Sequence, residues 1–240
     1  MKRFFDIVAS LIGLLIFSPI LLPILFLVWI QDGHSPFYIA PRVGKGGEEF
    51  SMIKLRSMVI NADKSGVDST SASDARITKV GAFIRRFKID EVTQLWNVLM
   101  GDMSLVGPRP NVKRETDKYT DVEKKLFNIK PGITDFASVV FSDESEILDG
   151  KKDPDLAYNQ LIRPWKSRLG LIYVNKSCFF LDFKLIMITI VALLNREASL
   201  KLVVKELKNL NVSPDIIEIA VRNINLQPTA PPGSEDIILK

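Results

Sequence analysis

Two adjacent carboxylates, Asp90 and Glu91, precede an apolar run, and farther on Arg109 stands between two prolines in the stretch Gly107-Pro108-Arg109-Pro110. These residue types suit a negatively charged reactant. A carboxylate can attack an electrophile or hold a cation, and a guanidinium on a stiff loop clamps phosphate or an oxyanion. More cations gather upstream: Lys54 and Arg56, then Arg76, Lys79, Arg85 and Arg86. Asp102 is a further carboxylate, suited equally to a metal or to a buried hydrogen bond. Each has a plainer reading. Asp90 and Glu91 at a helix start serve as ordinary caps, Arg85 sits in what reads as the wet face of an amphipathic helix, and Arg109 is explained as well by an incidental surface loop. His34 is the single histidine and Cys178 the single cysteine, which excludes a His-based triad, a thiolate metal cluster and a disulfide framework.

The elements that must position these groups can be read from periodicity. Val92, Leu95, Trp96 and Leu99 recur at i, i+3, i+4, i+7, so Ile89 to Met103 is expected to be a helix with one buried stripe, Asp90 as its N-cap and Gly101 as its stop. Asp74 to Phe87 carries Ile77, Val80, Phe83 and Ile84 at helical spacing. Phe37 to Ala40 reads as a short extended piece, and Arg42 to Gly47 as a basic glycine-rich turn without the spacing of a phosphate-binding loop. Asn61 to Ser73, polar and small, reads as a mobile loop. Downstream come an acidic loop from Phe141 to Asp155, a helix from Leu156 to Arg163, and an apolar helix from Ser177 to Leu194. This last contains Asp182 and Lys184, and its clean part is too short to span a bilayer, which puts it in the core or at headgroup level. Leu200 to Leu210 reads as an amphipathic helix, a further helix starts at Ser213-Pro214-Asp215 and runs to Ile224, and the proline-rich Gln227 to Gly233 reads as disordered.

The dominant apolar run is Ile7 to Ile30, free of charge but interrupted by Pro19 and Pro23. Its length alone gives a transmembrane anchor as the default. Two features argue otherwise. Pro19 lacks an N–H and clashes with the carbonyl of Leu15, so a kink or break is expected, with the Ser18 hydroxyl available to satisfy the freed backbone. Positive charges also flank both ends (Lys2 and Arg3; Arg42, Lys45, Lys54 and Arg56), which gives no clear orientation. A helix that enters the bilayer, turns and leaves on the same face satisfies both features. A signal peptide is disfavoured by the length of the run and the lack of a small-x-small cleavage site. Composition agrees with a folded protein: 47% hydrophobic and 25% charged residues exclude a disordered or fibrous chain, and a net charge of +4 suits anionic headgroups or a phosphorylated substrate without demanding nucleic acid.

Taken in order, KRFFDIVAS, the Ser18-Pro19 break, RVG at Arg42 to Gly44, KLRSM at Lys54 to Met58, DARITKVGAFIRR at Asp74 to Arg86, the Asp90-Glu91 pair, QLWNVLMGDMSLVGPRP at Gln94 to Pro110 and KPGIT at Lys130 to Thr134 closely resemble the bacterial sugar transferases. These are small monotopic phosphoglycosyl transferases. The resemblance implies a mainly α fold with short β pieces, in which a broken re-entrant membrane helix (residues 1–33) carries a compact membrane-associated helical catalytic domain (34–196). A C-terminal helical appendix and tail (197–240) follow. It also implies transfer of a sugar 1-phosphate from a UDP-sugar to polyprenol phosphate with release of UMP, by a ping-pong route through a phosphosugar-aspartyl intermediate. Asp90 is then the nucleophile and Glu91 its catalytic partner. Arg109, Lys54, Arg56 and Arg85 are expected on the substrate, and Mg2+ on Asp90 with Asp102 a further candidate ligand. The implied setting is the cytoplasmic face of the bacterial inner membrane, at the first membrane step of glycoconjugate assembly, upstream of other glycosyltransferases; a homodimer is left open and nucleic acid is not expected. The rival reading is a non-catalytic membrane-anchored adaptor that binds anionic lipid or nucleic acid through its basic face. Two departures stand out. Thr93 replaces the family's usual proline and offers an N–H to the Asp90 side chain, and Asp135-Phe136-Ala137-Ser138 replaces the common Gly-Trp-Ala-Gln run, which leaves the choice of sugar open.

Overall fold

The computed structural model describes residues 1–66 and 69–239, apart from the side chains of residues 64 and 65. The chain is mainly α with short β pieces, as expected. Helix α1 (Lys2–Ile30) is followed by strands β1 (Phe37–Val43) and β2 (Glu49–Leu55), paired antiparallel from Phe37 against Leu55 to Val43 against Glu49. Then come α2 (Lys79–Arg86), a 3-10 turn over Ile89–Gln94, α3 (Leu95–Met100), β3 (Ser104–Val106), α4 (Lys113–Thr116) and β4 (Gly132–Thr134), which pairs parallel with β3. The remainder is helical: α5 (Phe136–Val140), α6 (Glu144–Ile147), α7 (Pro154–Ala157), a π-turn (Tyr158–Ile162), α8 (Arg163–Lys176), α9 (Phe179–Leu194), α10 (Arg196–Asn209) and α11 (Pro214–Val221). Phe136, Leu169, Leu185, Val203, Leu207 and Ile219 meet in the main core, so α10 and α11 share it with α5, α8 and α9.

Helix α1 does not end at Ser18-Pro19. It is helical from Lys2 to Ile30 with Pro19 and Pro23 inside it, so the expected division into two halves is not found. The physical reason is local. Pro19 cannot donate to Leu15, and the Ser18 hydroxyl donates to that carbonyl instead at 2.8 Å. Both ends of the helix are fastened to the same body. At the start, Lys2 Nζ reaches Asp182 (2.7 Å) and the Val106 carbonyl (3.1 Å), Arg3 bonds the Val98 and Leu99 carbonyls at the end of α3, and Asp6 accepts from Ser104 Oγ (2.9 Å) and the Leu105 N–H (3.1 Å). At the far end Leu21, Ile24 and Val28 pack against Leu55 and Ile84. Between the ends the outward side is bare, with Leu15 and Ile16 each 65% exposed, while Gly13 lies against Leu95 on the other side.

Other expectations shift for identifiable reasons. The helix predicted over Ile89–Met103 splits into the 3-10 turn and α3, and its N-cap is Lys88, at φ 54°, not Asp90; Gly101, at φ +100°, does end it. The predicted buried stripe is also displaced, with Thr93, Gln94, Asn97 and Val98 turned inward and Trp96 outward. α2 is shorter than predicted because Thr78 Oγ1 caps it by accepting from the Gly81 N–H at 2.9 Å. The charge inside the apolar α9 is explained by burial with partners: Asp182 accepts from Lys2 and from the Tyr173 hydroxyl. Of the loop expected at Asn61 to Ser73, residues 67 and 68 lie outside the described residues; Ser69 N–H bonds Asp155 (2.7 Å), Ala72 N–H the Ser145 carbonyl (3.0 Å) and Ser73 bonds Asp149, so this part is tied down.

The tail also contradicts its reading. Gln227 to Gly233 is docked, with Thr229 N–H on the Gln160 carbonyl (3.0 Å), Arg168 on the Ala230 carbonyl (3.0 Å) and Thr120 Oγ1 on the Pro232 carbonyl (2.5 Å). Proline-rich composition lowers the entropy lost on docking, and here side chains of the folded body satisfy the strap's carbonyls.

Candidate active site

The loop that carries Arg109 is set by backbone contact. A Cβ built on Gly132 would lie 2.0 Å from the Gly107 nitrogen, so β3 and β4 approach at a spacing only glycine allows. Gly107 N–H bonds the Thr134 carbonyl (3.0 Å) and Gly132 N–H the Pro108 carbonyl (3.0 Å), fixing both sides of the loop. From it Arg109 Nη2 donates to Glu91 Oε1 at 2.6 Å.

The carboxylates are placed from the opposite side by β2. Asn97 accepts from the Ile53 N–H (2.9 Å) and donates to the Ser51 carbonyl (2.7 Å), while the Thr93 hydroxyl lies 3.2 Å from the Ile53 carbonyl and 3.1 Å from that of Asp90. Thr93 thus acts through its hydroxyl on backbone, not through its N–H on the Asp90 side chain. Proline could make neither bond. This clamp holds the Asp90-Glu91 turn against the strand that carries Lys54.

Charge within the group is strongly shared. Burial pushes the Lys54 ammonium down to about 8, with Arg109 acting in the same sense and Asp90 and Glu91 opposing. Burial would raise Glu91, but Arg109, Lys88 and Lys54 together hold it at about 2. Asp90 goes the other way. Its burial, with the Glu91 charge beside it, raises its carboxyl above the usual range against the pull of Lys54, Arg109 and Arg85. Among the described residues no hydrogen bond engages the Asp90 carboxylate. Glu91 is an ion-paired anchor, and Asp90 is the free, more basic carboxylate beside three cations.

Two expected site residues are not brought here. Arg56 is buried, with its guanidinium on both oxygens of Asp32 and on the carbonyls of Ser35 (2.8 Å), Val28 (3.3 Å) and His34 (3.3 Å). Buried in these contacts, it fastens the end of α1 to β2. Asp102 lies beyond the far end of α3, exposed, accepting from Asn97 Nδ2 at 3.2 Å. No group of three potential metal ligands occurs among the described residues. A divalent cation held as magnesium commonly is, by one or two carboxylates with phosphate oxygens and water completing the shell, fits Asp90 and does not need Asp102.

Beyond Arg109 a small cleft of about 30 Å³ opens, lined by Arg109, Asn111, Asp135, Ser138, Tyr158 and Lys166. Asn111, Tyr158 and Lys166 carried no sequence signal, whereas Arg109 is marked by its proline-bracketed loop. Asp135 and Ser138 are marked by their departure from the family's common run.

Residues 1–196 match the model of a family described as bacterial sugar transferase. A Bacillus subtilis (strain 168) protein, assigned provisionally as an undecaprenyl-phosphate N-acetylgalactosaminyl 1-phosphate transferase, is 48% identical over 118 residues, covering 49% of this chain and 66% of the relative. The undecaprenyl-phosphate galactose phosphotransferase of Salmonella typhimurium (strain LT2) is 41% identical over 149 residues, 56% of this chain and 31% of the relative. An uncharacterized sugar transferase of Bacillus subtilis (strain 168), EpsL, is 34% identical over 190 residues, 79% of this chain and 85% of the relative. Across the relatives matched most strongly, the chain spans between 31% and 66% of their length.

Proposed function

The chain belongs to the bacterial sugar transferase family, and from that we propose that it moves a sugar 1-phosphate from a UDP-sugar to polyprenol phosphate, releasing UMP, with Asp90 as nucleophile. The observation that carries the reading is the division of labour in the carboxylate pair. Glu91 is bound by Arg109, and Asp90 stands free with a raised pKa beside Lys54 and Arg85. A carboxylate that attacks a diphosphate needs basicity in itself and positive charge around its target.

In the first step an Asp90 oxygen forms a bond to the β-phosphorus, the bond from that phosphorus to the bridging oxygen breaks, and UMP leaves with the electron pair. Lys54 and Arg109 face the charge that develops on the phosphoryl oxygens. In the second step an oxygen of polyprenol phosphate attacks the same phosphorus and the Asp90 carboxylate is released. Neither step needs a proton, since both leaving groups are stable anions. Mg2+ held by Asp90 and the diphosphate would supply further charge neutralisation.

We place the enzyme at the cytoplasmic face of the inner membrane. α1 is the one described helix long and apolar enough to cross a bilayer, with a mean hydropathy of 2.8 over its best window, yet its two ends are held by one body. That favours entry and exit on the same face, with the bend taken up at Pro19 and Pro23 inside the continuous helix. Phe83, Phe87, Trp96, Met100, Phe180 and Phe183 are also exposed and apolar, which suits a body half sunk in the headgroup layer. The test is UMP release from a panel of UDP-sugars with polyprenol phosphate in nanodiscs, alongside capture of the phosphosugar adduct. Wild type should give both and Asp90→Asn neither; an active Asp90→Asn overturns the assignment.

A further inference from the structure

The cleft beyond Arg109 holds a carboxylate that the proposed chemistry does not use. Asp135 is 1% exposed and lines this cleft, and one of its oxygens, Oδ1, is taken by the Ser138 N–H (2.7 Å) and hydroxyl (2.8 Å) at the start of α5. No hydrogen bond reaches its other oxygen among the described residues. That oxygen opens onto the cleft as an acceptor that a bound group can engage. Across the cleft stands Lys166, paired with Glu144 and 5.7 Å from the centre of the Tyr158 ring.

The substrate's own connectivity says what reaches this point. Arg109 joins the two sites, bonding Glu91 on one side and lining the cleft on the other. A phosphoryl group placed between Asp90 and Arg109 has its sugar ring one bridging oxygen away, whereas the uridine lies beyond a second phosphate. The sugar ring is therefore the part of the donor nearer to this cleft.

We propose that Asp135, with Ser138 and Lys166, forms the subsite that reads a hydrogen-bond-donating substituent, a hydroxyl or an amide N–H, on the hexose of the UDP-sugar. This rests on the transferase reading above. A site built to accept such a bond rejects an analogue that lacks the donor, because its own polar group is then left buried and unpaired.

The experiment measures kcat/KM for UMP release across UDP-hexoses that differ at single ring carbons, for wild type, Asp135→Asn and Asp135→Ser. Both variants keep a good helix N-cap for α5, and retained inhibition by UMP reports a folded site. Asparagine turns the free oxygen into a donor, and serine removes it. The preferred sugar should lose at least about tenfold in kcat/KM in both variants, and the preference should shift toward the epimer or deoxy sugar without the donor. Unchanged ranking, with kcat/KM within about twofold in folded variants, overturns the subsite alone. No UMP from wild type with any donor would overturn the transferase reading together with it.

Discussion

Lys54 gives the sharpest prediction, because its proton is held so loosely. Burial beside Arg109 brings it from 10.5 to about 8. At pH 7 the free enzyme then carries the charge in roughly nine molecules of ten, and at pH 9 in roughly one of ten. If the ammonium faces the transferring phosphoryl group, kcat/KM should fall about tenfold per pH unit above 8, since kcat/KM reports ionisations of the free enzyme. Bound diphosphate holds the proton on, so the same limb in kcat should lie higher. Lys54→Arg keeps its charge throughout, so it should lower the plateau by about tenfold through altered geometry and remove the alkaline limb. Lys54→Met should be flat across this range, about a hundredfold below wild type at pH 7. The sign for stability is opposite. A lysine whose folded pKa is lowered binds its proton more tightly when unfolded, so the fold gains stability as pH rises from 8 to 10.5, and Lys54→Met should not lower Tm at pH 7. UMP release in nanodiscs between pH 6.5 and 10 decides the matter. An alkaline limb that persists unchanged in Lys54→Arg refutes the assignment of charge to this residue.

Arg56→Ala should lower Tm by roughly 4–8 °C, because the end of α1 loses its tie to β2, while UMP release from the folded fraction changes little. Asp32, whose carboxyl Arg56 holds well below the usual range by hydrogen bonding, contributes stability that is present above the unfolded pKa and fades as pH falls; a wild-type Tm scan against Arg56→Ala below pH 4 should converge. Thr93→Val removes the hydroxyl from the Ile53 and Asp90 carbonyls at constant shape, and should cost about 1 kcal/mol in denaturant titration with a several-fold drop in kcat. Glu123→Ala leaves the buried Arg163 unpaired, with a loss of about 3–5 kcal/mol in the same assay. Gly132→Ala forces β3 and β4 apart under the Arg109 loop and should abolish turnover before it abolishes helical signal in circular dichroism.

Much of the candidate site was legible because its residues lie on local signals. Asp90 and Glu91 open an apolar stretch, and Arg109 sits in a proline-stiffened loop. What could not be read was who pairs with whom. Arg56 and Lys54 look alike two positions apart on one strand, but a strand sends alternate residues to the same side only while it stays regular. Arg56 is the first residue past β2 and turns to Asp32, just beyond the end of α1. Asp102 is a candidate ligand by residue type alone; it stands past the end of α3, with the 3-10 turn and that helix between it and Asp90. Trp96 reads as core because periodicity marks an apolar face without saying whether protein or lipid covers it. The docking of the tail is hidden for a related reason, since composition registers the want of a core but not the presence of a groove that will take an extended strand.

The fastening of Lys2 to Asp182 also has a consequence for biosynthesis. The first helix leaves the ribosome before its partner exists, and at about 5–20 residues per second the partner follows roughly 10–35 s later. During that interval α1 is an apolar segment without its clasp, exposed to whatever inserts or shields such segments. Only when α9 emerges can the buried Asp182 close on Lys2 and the Tyr173 hydroxyl. The start of the element made first is therefore fully fastened only when a partner 180 residues downstream has been made.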